Sequence, residues 1–98
     1  MIDKYILKGQ EAIPCPDMLN WDQWFEKADR IVAKDTVGDS DVSTIFLGLD
    51  HSFGEGPPLL FETMVFGGML SDAMDRYSTW DDAVDGHNAM VERVRQGS

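Results

Sequence analysis

Ninety-eight residues make one domain over 1–98, and 43% apolar content is enough for a real core in it. Eighteen acids against eight bases leave −10 at pH 7, a field that repels phosphate backbones and so argues against direct nucleic-acid binding. No run of eighteen apolar residues exists to span a membrane, and the Met1 to Gly9 segment lacks the apolar stretch of a secretory signal. The single Cys15 cannot form an internal disulfide and fits a reducing cytosol, so a cytoplasmic protein is expected.

Taken in chain order, residues 2–8 predict a short strand. Ile13-Pro14-Cys15-Pro16 is held extended, because each proline disfavours the helical form in the residue before it. A helix follows, capped by Asp17 or Asn20, with Trp21, Trp24, Phe25 and Ala28 in one apolar stripe. Residues 30–37 predict a strand or its approach, and Gly38-Asp39-Ser40-Asp41 a turn. Residues 42–49 read as a central strand, β-branched and apolar on both faces, and 59–66 as its partner across the loop from Asp50 to Pro58. A short strand near 74–78 precedes a helix that Thr79 can cap, with Asp81 and Asp82 at its positive end. Ala83, His87, Met90 and Val94 form that helix's buried stripe. The expected fold is therefore α+β, an antiparallel sheet of four to five strands with two helices on one face, in the order β-α-β-β-β-β-α.

If Leu49 opposes Leu59, one face of the central hairpin carries Leu47, Phe61, Ile45, Thr63, Ser43 and Val65, and should hold the helices. The other face carries Phe46 opposite Glu62, Thr44 opposite Met64, and Val42 opposite Phe66. Two short helices cannot roof both faces, so this second face is expected to meet a partner or a second copy of the chain. Thr44, Phe46, Glu62, Met64 and Phe66 are its candidate partner-binding residues, with Phe53 as an anchor on the loop.

Chemistry has weaker candidates. Asp50 and His51 end a strand at the start of a long loop, where functional groups often sit, and Glu62 is a carboxylate inside an apolar strand. As a catalytic set they are weak, because the expected register puts Glu62 about 16 Å of strand away from His51. Pairing with Arg76 on a neighbouring strand is the better role for Glu62, and a satisfied core histidine the better role for His87. No ligand-spaced Cys/His pair supports a metal, and no glycine-rich phosphate loop supports a nucleotide, so no cofactor is expected.

The segments Val42-Ser43-Thr44-Ile45-Phe46-Leu47-Gly48-Leu49-Asp50-His51, Phe61-Glu62-Thr63-Met64-Val65-Phe66-Gly67-Gly68 and Arg76-Tyr77-Ser78-Thr79-Trp80 with Gly86-His87 resemble a family of small phage and prophage proteins of undescribed function. The resemblance extends over nearly the whole chain. It implies expression in a bacterial cytoplasm and no activity. Between Lys34 and Arg93 stand twelve acids and one base, Arg76, so that stretch carries −11. Such charge beside a semi-apolar sheet face suggests a protein-interaction module with a basic-surfaced partner, for example an inhibitor of a host nucleic-acid-binding defence complex, as some anti-CRISPR proteins are. A small metal- or ligand-binding enzyme using Asp50, His51 and Glu62, and a dimeric phage accessory or structural protein, are the alternatives.

Overall fold

The structure, a computed structural model, describes residues 3–97. Among these the chain is α+β: β1 (Tyr5–Lys8), β2 (Glu11–Pro14), α1 (Met18–Lys27), β3 (Ile31–Val37), β4 (Ser40–Phe46), β5 (Phe61–Phe66), β6 (Met74–Tyr77) and α2 (Trp80–Gly97). Strands β3-β4-β5-β6 form an antiparallel sheet in sequence order, and β1-β2 form a separate two-stranded hairpin. The expected order of elements is present, with β2 as an added strand. The prolines do hold this segment extended, and the extended backbone pairs with β1, Pro14 opposite Tyr5, at a strand end where its missing N–H costs nothing. Of the first predicted strand, Ile2 lies outside the described residues.

Helix α2 lies across one face of the four-stranded sheet. Thr79 Oγ1 accepts from Asp82 N at 3.1 Å and caps it, as the sequence predicts. Its stripe of Ala83, His87, Met90 and Val94 is buried. Val42, Val65, Met90 and Val94 make one core cluster; Phe46, Leu60, Phe61 and Ala83 make the other. Gly86 brings the helix backbone against the Tyr77 ring so closely that a Cβ there would fall 2.1 Å from ring atoms. No helix among the described residues is long and apolar enough to cross a membrane.

Helix α1 closes the end of the sheet. Asp17 caps it by accepting from Asn20 N. Trp21 Nε1 donates to the carbonyls of both Tyr5 and Gly48, at 3.0 and 3.2 Å, and so ties the hairpin to the end of β4. Phe25 stacks on Trp21 and receives the Arg30 guanidinium 4.1 Å above its ring. Trp24 meets Phe46 edge to face at 5.8 Å. Gly48, at φ +79°, turns the chain here with Phe25 against it; a Cβ would sit 2.9 Å from that ring.

The hairpin register differs by one residue from expectation. Phe46 opposes Phe61, Thr44 opposes Thr63, Val42 opposes Val65, and Ile45 opposes Glu62. The left-handed turn at Gly48 ends the ladder early, so Leu49 and Leu59 are not a closing pair. A shift of one residue reverses every side chain of one strand. The faces of β5 stand as expected, and those of β4 are exchanged.

Candidate functional site

Strand alternation sets the two faces of the sheet. Val42, Thr44, Phe46, Phe61, Thr63 and Val65 are all buried under α2. The opposite face presents Asp41, Ser43 and Ile45 from β4 and Glu62, Met64 and Phe66 from β5. Ile31, Lys34 and Thr36 of β3 pair with Ile45, Ser43 and Asp41, while Met74 and Arg76 of β6 pair with Met64 and Glu62. Opposed residues share a face, so all of these lie on it. Neither helix packs on this side. Ile31 is 54% exposed, Phe66 52% and Met74 40%, high values for apolar side chains.

Of the expected partner-binding residues, Glu62, Met64 and Phe66 therefore stand together on the uncovered face. Thr44 and Phe46 do not: each has 0% exposure beneath α2, a consequence of the register. Ser43 and Ile45 take their places. Small Ser43 among longer neighbours leaves a shallow dimple of about 90 Å³, walled by Ile45, Glu62, Met64 and Phe66. Phe53, on the loop tip, is 96% exposed.

Charges on this face balance. Arg76 Nε donates to Glu62 Oε2 at 3.0 Å, the pairing expected from sequence, and both side chains are largely covered. Thr36 Oγ1 bonds Asp41 Oδ1 at 2.7 Å. Lys34 and Arg76 offset Asp41 and Glu62, so the face is formally neutral within a chain of −10. The acids are thus not concentrated beside the apolar residues, as the sequence suggested. Alternation turns Asp35 and Asp75 toward the helix side, where they meet His87 and Arg93. Asp81, Asp82, Asp85 and Glu92 lie exposed on α2. The helix side is net negative, with these acids outnumbering Arg93 and Arg95.

His87 is a satisfied core histidine. Its Nε2 lies 2.7 Å from Asp35 Oδ2, and its Nδ1 lies 2.7 Å from Thr44 Oγ1. With the hydrogen on Nε2, the ring donates to the Asp35 carboxylate and accepts from the Thr44 hydroxyl. Thr44 also bonds Thr63 across the strands. Burial raises the Tyr77 hydroxyl above the usual tyrosine range, against a hydrogen bond with Thr63. Carboxylate, imidazole and hydroxyl stand here in the order of a nucleophile relay. However, Thr44 is sealed between sheet and helix, where no substrate reaches it.

Asp50 has a different task. Its Oδ1 accepts from Ser52 N at 2.8 Å and Leu59 N at 3.0 Å, clasping the base of the loop. These bonds, Ser52 first, hold its carboxyl below the ordinary value of 3.8. Because the folded value is the lower one, the clasp contributes in full above 3.8 and is lost as pH falls through the lowered value. Asp50→Ala should speed amide exchange at Ser52 and Leu59 about tenfold at neutral pH without altering exchange in α2. Unchanged exchange at those two amides would refute the clasp. His51 turns Nδ1 to the Leu49 carbonyl at 2.9 Å. Glu62 sits on the sheet face with Arg76, apart from this loop, so the three weak catalytic candidates do not form one site. Among the described residues no three His, Cys, Asp or Glu side chains are placed to hold a metal ion.

Comparison with known proteins finds no matching family model, no matching curated protein and no matching solved structure.

Proposed function

We propose that the chain is a non-catalytic protein-interaction module that docks a protein partner on the uncovered face of its four-stranded sheet. One observation carries this reading: Ile31, Ile45, Met64, Phe66 and Met74 lie side by side on a face that neither helix covers, with their polar neighbours already paired or balanced. Strand rise and spacing give this face on the order of 400 Å². Exposed patches of this order with an apolar centre are often functional. The dimple at Ser43 offers a socket for one partner side chain.

Long-range attraction and contact fall to different sides. The acids around α2 and the net charge of −10 attract a basic-surfaced protein and repel nucleic acid. The neutral sheet face then permits close approach: Arg76 and Glu62 are already paired, and the exposed Lys34 and half-buried Asp41 stand toward its edge, open to complementary groups of the partner. A protein that itself grips nucleic acid has the required basic surface. With the phage resemblance, this favours a nucleic-acid-handling complex of a bacterial host, such as a defence complex, as the partner.

The test is binding of the purified chain to purified host complexes of that kind, with and without their nucleic acid, at low and physiological salt. Association that slows with salt, and competition with nucleic acid, are the expected results. Failure to bind at either salt overturns the proposal.

A further inference from the structure

We propose that the cleft between the β1–β2 hairpin and the first turn of α2 binds an organic cation, the guanidinium or alkylammonium group of an arginine or lysine side chain in a polypeptide. The cleft shares no residue with the uncovered sheet face, so it stands or falls separately from the reading above. Its volume is about 570 Å³, inside the range of roughly 300–1,000 Å³ typical of ligand sites.

The lining fits a cation with an apolar stem. Leu60 and Phe61 form a buried floor. Tyr5 and Trp80 are half-buried aromatic residues of the lining, and Trp80 is braced edge to face against Phe61 at 6.2 Å. Aromatic rings attract cations through their negative faces, more strongly where water is partly excluded. Two exposed carboxylates, Glu11 and Asp81, stand at the rim against one ammonium, Lys8. The strong negative charge of the whole chain adds to their field. An anion is disfavoured even though the cleft borders the start of a helix. Thr79 already caps that end, and Asp81 and Asp82 offset its partial positive charge.

The experiment is a two-dimensional NMR titration of the intact chain with N-acetyl-arginine amide, followed at the Trp80 indole and the hairpin amides. Saturable shifts confined to the cleft are expected. Glu11→Gln and Asp81→Asn should each weaken binding about threefold, and Lys8→Gln should tighten it by a similar factor. Glu92→Gln makes the same charge change as Glu11→Gln, roughly 16 Å along α2 from Asp81, and should leave binding unchanged. All four side chains are exposed, and the spectra themselves report the fold. N-acetyl-leucine amide should bind at least about tenfold more weakly, for want of the cation. Equal binding of the leucine compound, an effect of Glu92→Gln equal to that of Asp81→Asn, or no saturable shift would each overturn the proposal.

Discussion

Phe46→Ala should cost about 3–5 kcal/mol of folding stability, and Phe66→Ala less than about 1 kcal/mol. Both are aromatic residues at the ends of adjacent strands, and only the register separates their fates. Phe46 has no exposed surface; it meets Trp24 at 5.8 Å and Phe61 at 5.2 Å, and no helix covers Phe66. Truncating Phe46 removes the transfer energy of a buried ring and leaves a hole that α1, α2 and the sheet cannot all close. Truncating Phe66 removes a half-exposed ring from a solvated face. Urea unfolding of the two variants, with unchanged denaturant dependence as the two-state check, measures the difference. Equal costs, or a cheaper Phe46, would place β4 in the other register and exchange its faces.

Phe66→Glu and Met74→Glu should leave the fold intact and weaken partner binding by about thirtyfold or more each, the loss typical of a central apolar anchor. Both side chains are at least 40% exposed, so the folded chain tolerates a carboxylate at either position. Within the complex the same carboxylate would be buried without a partner. Asp85→Asn should behave differently. Asp85 is exposed on α2, on the side away from the contact, and its removal should leave dissociation unchanged and association nearly so. Surface plasmon resonance separates the two kinds of effect. If Asp85→Asn speeds dissociation and Phe66→Glu does not, contact lies on the helix side.

Much of the fold was legible in the chain because local signals agreed. Thr79 with Asp81 and Asp82, Asp17 ahead of an aromatic stripe, and two β-branched segments around a long loop each marked an element that formed. The register was not legible from hydrophobicity, since residues 42–47 are apolar on both faces: Val42 and Phe46 against Ile45 and Leu47. Its signal was polar. Thr44, Thr63 and His87 are the polar members of otherwise apolar rows, and buried polar groups need one another. Pairing Thr44 with Thr63 under His87 selects the observed register, whereas the expected one put the two threonines on opposite faces. Asp35 as the second partner of His87 carried no local mark, because 52 residues separate them. Likewise β2 was hidden by its prolines, which specify extended backbone but not whether it pairs. On the uncovered face, Glu62, Met64 and Phe66 were readable from β5 alone; Ser43 and Ile45 waited on the register.

Site-specific photo-crosslinking of the chain expressed in bacterial cells tests the proposed contact face most directly. A photoreactive phenylalanine analogue replaces Phe66 in one version of the chain and Asp85 in another. The expected result is one discrete adduct with a different protein from position 66, absent from position 85. An adduct from position 85 alone, an adduct of twice the chain's own mass from position 66, or none from either would contradict a protein partner seated on the sheet.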